Sequence, residues 1–114
     1  MAEDKKGTII FYENQYWLCD YYDTEIKGFF GYPVYITGEE VEVRPAGGNW
    51  IFDVWNYQIA SIQKSLKIDI FKSWISRLNW NINFCKSNQS ALIGVIEKWK
   101  LEILYFDNLI SGCL

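Results

Sequence analysis

The stretch Asn49–Leu66 (NWIFDVWNYQIASIQKSL) follows the sharpest break in the chain, Pro45-Ala46-Gly47-Gly48, and constrains the fold more than any other segment. Asp53 has the side chain of a helix N-cap, an oxygen able to accept from a free first-turn amide. Phe52 before it and Tyr57 four residues after it match a hydrophobic staple. Trp55, Ile59, Ile62 and Leu66 then recur at helical spacing and fall within roughly 60° of one another on a helical wheel. The spacing predicts a central packing helix over Asp53–Leu66.

Upstream, the residues favour strands. Thr8–Tyr12 and Tyr16–Tyr22 are rich in β-branched and aromatic residues, and the polar Glu13-Asn14-Gln15 between them suits a hairpin turn. Within Glu25–Tyr35, Gly28, Gly31 and Pro33 point to a bulge, loop or edge segment rather than a central strand. Val34–Ile36 and Val41–Val43 flank Thr37-Gly38-Glu39-Glu40, a second hairpin loop. In its second arm Val41 and Val43 alternate with Glu40, Glu42 and Arg44, one face inward and one wet. Thr37-x-x-Glu40 also has capping-box spacing, but this alternation makes the match accidental.

Downstream of Leu66 the apolar stripe turns. Ile68, Phe71, Trp74, Ile75 and Leu78 share one side of a second helical wheel, which predicts a bend near Lys67. Asn79–Phe84 alternates strictly, with Trp80, Ile82 and Phe84 opposite three asparagines, and predicts a strand. Lys86–Ser90 reads as a turn. Ala91–Ile96 fits a strand or a short helix equally, with Gly94 weakening both. Lys98–Tyr105 alternates again and predicts another strand, since a helix would set Leu101 and Tyr105 among charges. Asn108–Leu114 is expected to fray.

The size, 114 residues, fits one domain spanning 1–114. A 50% hydrophobic composition fills a core without disulfides or a structural metal. The aromatics, 6 Trp, 8 Tyr and 7 Phe, exceed what so small a core can bury, so some should reach the surface. No apolar run approaches a membrane span, and the opening MAEDKKGT lacks the apolar run of a secretory signal. Three scattered cysteines without a CxxC fit a reduced, cytoplasmic chain, which makes the glycosylation triplet Asn88-Gln89-Ser90 a chance match.

Net charge is −3, but residues 1–57 carry −6 and residues 58–114 carry +3. An acidic half suits a basic protein surface and argues against direct binding of nucleic acid. With no histidine the chain lacks imidazole triads and the commonest general base and metal ligand. It has no P-loop and no GxGxxG, so no cofactor or metal is expected. Cys19 stands beside Asp20, which raises a thiol pKa rather than activating it. Asp20, Asp23 and Glu25 keep a carboxylate mechanism in view, although a solvated acidic loop is the simpler reading.

The same acids serve better as a binding surface. Asp20, Asp23, Glu25, Glu39, Glu40 and Glu42 interleave with tyrosines, Tyr22 among them, in the strand-rich half, and Trp50 adds an anchor beside the Gly47-Gly48 break. The sequence therefore predicts an α+β fold, an antiparallel sheet packed against one or two helices, with a mostly-β barrel carrying a helical insertion as the rival. Strands from the last third would extend that sheet. The expected function is non-enzymatic: a cytoplasmic inhibitor of the immunity-protein type, an antitoxin that occludes the active site of a basic toxin domain such as a nuclease. The alternative is a small-ligand or carbohydrate binder with an aromatic-lined pocket.

Overall fold

A computed structural model describes residues 5–87 and 93–113. The fold is α+β: six strands come first and two helices follow. The chain divides into two compact units, Met1–Gln63 with all the strands and Lys64–Leu114 with both helices. No helix among the described residues is long and apolar enough to cross a membrane.

The strands are β1 (Ile9–Tyr12), β2 (Gln15–Asp23), β3 (Gly28–Thr37), β4 (Glu40–Val43), β5 (Asn49–Phe52) and β6 (Gln58–Ile59). Every pairing is antiparallel, in the order β4-β3-β2-β1-β6, with β5 also on β3. The sheet is not closed into a barrel. Both expected hairpins form. The first turns at Glu13 and Asn14, both at positive φ, and the second at Gly38, φ +61, as tight hairpin turns require.

Segment 28–37 corrects the sequence expectation: β3 is the central strand, paired with β2 on one side and with β4 and β5 on the other. Pro33 is tolerated because of where its nitrogen faces. The Arg44 N–H donates to the Pro33 carbonyl at 3.1 Å, so the proline nitrogen points the same way, into the seam where β5 gives way to β4. No ladder bond is lost toward β2. The short 3₁₀ turn Pro45–Gly47 links β4 to β5 across that seam.

A bulge at Asp20 resets the alternation of β2, since the register shifts between Cys19 and Tyr21. Cys19 and Tyr22 thereby share one face, where they join Ile10, Phe29 and Ile51 in a buried cluster flanked by Tyr12, Trp17 and Tyr57. Tyr21 turns to the opposite face with its cross-strand neighbour Phe30.

The expected helix over Asp53–Leu66 does not form. Asn49–Phe52 pairs with Gly31–Gly28 of β3, and the Asp53 amide donates to the Lys27 carbonyl at 2.9 Å. The Asp53 carboxylate accepts two tyrosine hydroxyls instead of capping a helix. The stripe itself is spread over loops (Trp55, Ile62), a strand (Ile59) and the start of the helix that follows (Leu66), leaving Ile59 71% exposed.

The helices are α1 (Lys64–Ser87) and α2 (Ile93–Cys113). Helix α1 is continuous through Lys67, where the sequence predicts a break in direction, and buries Ile70, Phe71, Trp74, Leu78 and Ile82. The strand expected at Asn79–Phe84 is its last third. Ile82 lies on the buried stripe, whereas Trp80 and Phe84, four residues apart, stack at 5.2 Å on the exposed side. Two helical faces interleaved produced the apparent alternation. Lys98–Tyr105 is likewise helical: Ile96, Trp99, Ile103, Phe106 and Ile110 form the inward stripe of α2, and Leu101 is 67% exposed. Among the described residues, the last third therefore adds no strand to the sheet.

The expected turn at Lys86–Ser90 begins inside α1, and its residues 88–90 lie outside the described residues. Of Ala91–Ile96, the described part is helical, and residues 91–92 lie outside. The tail is helical to Cys113 rather than frayed. Phe71 and Phe106, both fully buried, meet at 5.6 Å and tie the two helices together far from their connection.

Candidate functional site

The clearest surface feature of the sheet unit is a band of rings near the β2–β3 turn. Its order follows from register. Phe30 is paired with Tyr21 on one side and Trp50 on the other, so the three share a face, and Phe52 follows Trp50 by two residues. Trp50 lies 5.3 Å from Phe30, 6.2 Å from Tyr21 and 6.5 Å from Phe52. Phe52 meets Trp55 edge-on at 5.3 Å, and Trp55 stacks on Tyr12 at 5.7 Å. Phe30 reaches Tyr32 at 5.6 Å.

Glycines floor the band. A Cβ on Gly28 would meet the Phe52 ring at 2.9 Å, and one on Gly48 would meet Phe30 at 2.9 Å and Tyr32 at 3.0 Å. Rings lying on bare backbone pack tightly without being covered. Tyr21 stays 51% exposed and Trp55 40% exposed. The Asp53–Lys27 backbone bond sets the loop after β5 beside the β2–β3 turn, bringing Val54, 85% exposed, and Ile26, 50% exposed, to the same end of the sheet.

Carboxylates border the rings. Asp20 accepts the Tyr32 hydroxyl at 3.1 Å and stands 3.9 Å from the Lys6 ammonium. Asp23 accepts the amides of Glu25 and Ile26, at 2.8 and 3.3 Å, and so holds the β2–β3 turn, while Glu25 is exposed upon it. Asp53 accepts Tyr22 and Tyr57 hydroxyls, both at 2.7 Å. Burial pushes its pKa up, but those hydrogen bonds, with Lys5 and Lys27 behind them, outweigh burial and hold the carboxyl below its ordinary value. The Tyr57 phenol is displaced well upward by burial and by that same carboxylate.

The residues expected to contact a partner thus separate. Asp20, Asp23, Glu25 and Trp50 gather at the ring-bearing end. Tyr22 is buried in the core, its hydroxyl on Asp53. Glu39, Glu40 and Glu42 stand toward the opposite end of β3: Glu42 pairs with Tyr35, roughly 17 Å along the strand from the Phe30 partner of Trp50, and Glu40 pairs with Thr37, roughly 30 Å from the Gly28 partner of Asp23, at ~3.3 Å per residue. There Glu42 pairs with Arg44 at 3.2 Å, and the Arg44 guanidinium covers the Tyr35 ring at 4.1 Å. The acidic half of the sequence is two groups of charges, not one patch.

Near that opposite end, Phe11, Asn14, Gln15, Tyr16, Val34, Tyr35 and Ile36 line an open groove of about 310 Å³. Among the described residues no three cysteine or carboxylate side chains converge to hold a metal ion. Phe52, Val54 and Trp55 escaped sequence reasoning because Val54 and Trp55 were assigned to a helix and Phe52 to the staple before it; Ile26 carried no comparable signal. The signal lay in Asn49–Phe52, whose own alternation sets Trp50 and Phe52 apart from Ile51. No protein-family model, curated protein or solved structure matches the chain.

Proposed function

We propose that the chain is a non-enzymatic protein-binding module that docks a basic partner on the ring-bearing end of its sheet. The observation carrying this reading is the band itself: Tyr21, Trp50, Phe52 and Trp55 in contact, partly exposed, next to Ile26 and Val54 and bordered by Asp20, Asp23 and Glu25. Rigid amphipathic rings supply contact area at little entropic cost, and the acids attract Lys and Arg during approach. In its most concrete form this is a cytoplasmic inhibitor of the immunity-protein type, which covers the basic active-site cleft of a toxin domain. A second reading, a carbohydrate binder, is favoured by the open groove, where Phe11, Tyr16 and Tyr35 stand with the amides of Asn14 and Gln15.

The test is capture from a lysate of the source cells at low and at moderate salt, comparing the wild type with Tyr21→Ala, Val54→Asp, and the pair Glu40→Lys with Glu42→Lys. The reading expects one stoichiometric basic protein that is held less tightly as salt rises. Tyr21→Ala and Val54→Asp should release it, and charge reversal in β4 should leave it bound. Retention by both ring-end variants, with release by the β4 variant, would move the interface to the other end. If no protein is retained and the chain binds an immobilised glycan through Tyr35, the carbohydrate reading takes its place.

A further inference from the structure

On the core face of the sheet, apart from the exposed band, two aromatic rings flank one cation. The Lys5 ammonium lies 3.6 Å from the centre of the Tyr22 ring and 5.8 Å from that of Phe29. Tyr22 and Phe29 meet at 4.8 Å, and Tyr57 stands edge-on to Phe29 at 5.1 Å, so the three rings form a corner. The Asp53 carboxylate is fixed beside them. Its Oδ2 accepts from Tyr22 and its Oδ1 from Tyr57, both at 2.7 Å, and each oxygen keeps a lone pair for a further charge.

Ring faces attract a cation through their quadrupole, and a fixed carboxylate adds a full opposite charge. Beyond that carboxylate, however, the ring faces offer no acceptor oxygen to the three N–H donors of a primary ammonium. A quaternary ammonium has no donors to satisfy and presents methyl groups that pack on rings. The geometry points to Tyr22, Phe29, Tyr57 and Asp53 as a quaternary-ammonium site that Lys5 occupies in cis.

The local backbone lets Lys5 withdraw without unravelling the sheet. Gly7, at φ +88, donates to the Cys19 carbonyl at 2.8 Å, and Cys19 donates to Thr8 at 2.8 Å, so the chain is anchored just after Lys5. Rotation of the lysine side chain opens the corner while that anchor stays. The lysine is a tethered competitor: an incoming ligand binds only the open fraction, and its apparent affinity falls by that fraction. This site stands whether or not a protein docks on the band.

The test titrates the full chain with tetramethylammonium chloride at constant ionic strength and follows the Tyr22, Phe29 and Tyr57 ring signals by NMR. tert-Butanol serves as the neutral shape control. Lys5→Ala and Lys5→Gln should each bind tetramethylammonium about tenfold more tightly than the wild type, and adding Asp53→Asn should remove about tenfold again. tert-Butanol should leave the ring signals in place. The inference is overturned if neither lysine variant gains affinity, or if tert-butanol shifts the same signals to the same extent. Should Lys5→Ala lose its folded spectrum, Lys5→Gln, which keeps most of the stem, decides by the same criterion.

Discussion

Replacing Gly48 with alanine tests whether the ring band truly rests on bare backbone. Gly48 has φ −57 and ψ 139, an ordinary conformation, so alanine meets no backbone strain there. The new Cβ would lie 2.9 Å from Phe30 Cζ and 3.0 and 3.1 Å from two atoms of Tyr32. Carbon atoms rest at about 3.5–4.0 Å, so both rings must retreat by roughly half an ångström or more. Overpacking of this kind costs about 1–3 kcal/mol. Alanine also restricts the unfolded chain, which returns about 0.4–1 kcal/mol. The expected net loss is about 1–2 kcal/mol, read from urea midpoints or as a fall in Tm of roughly 4–8 °C per kcal/mol. In a Phe30→Ala background one obstructing ring is gone, and the cost should drop by about 1 kcal/mol. A neutral or stabilising Gly48→Ala, or the same cost in both backgrounds, would refute the packing argument.

Further expectations concern the core, the helices and pH. Phe106→Ala should lose about 3–5 kcal/mol by urea titration because it empties the contact with Phe71, whereas Leu101→Gln should stay within about 0.5 kcal/mol. Asp53 has a depressed pKa in the fold, so its stabilisation is present above the unfolded value and lost as pH falls through the folded one. The stability gap between wild type and Asp53→Asn should therefore hold from neutral pH down to about pH 5 and shrink below about pH 4; a gap that widens in acid contradicts the assignment. Burial, with Asp20 beside it, pushes the Cys19 thiol up to about 12. Under native conditions iodoacetamide should modify the half-buried Cys85 and Cys113 and spare Cys19, with peptide mapping as the readout.

The first 44 residues were legible where side-chain alternation and turn chemistry agreed, as in both hairpins. Segment 28–37 was not, because glycine and proline argue against a central strand unless the partners are known. Gly28 and Gly31 leave room for Phe52 and the β2 backbone, and Pro33 faces a seam, facts that depend on residues far away in sequence. Asp53 misled for a related reason. A carboxylate can cap a helix or accept two tyrosines, and only the fold brings Tyr22 to it. Helix α1 opens at Lys64 with no acidic residue in its first turn, so its start carried no comparable signal. The helices were then obscured by exposed apolar residues. Trp80, Phe84 and Leu101 face outward, and counting them as buried turned a period near four into a period of two. Of the site residues read from the sequence, Asp20, Asp23, Glu25 and Trp50 stand toward one end of β3 and Glu39, Glu40 and Glu42 toward the other, a separation that only the strand register reveals.

The order of pairing in the sheet carries a consequence for how the chain acquires its structure during synthesis. Strands β1 to β4 each pair with a strand adjacent in sequence, and β5 reaches back past β4 only to β3, so their ladders can close as the residues emerge. The exception is β6, which must reach back to Ile10 and Phe11 from Gln58 and Ile59. That seam has only two residue pairs, yet it closes the longest loop in the sheet and should set the slow step of sheet formation. The helical unit uses only later residues, Lys64 onward, so its own hairpin can form after the sheet is complete. Slowing translation once Ala60 has emerged from the ribosome would give the β1–β6 seam time to close before α1 emerges.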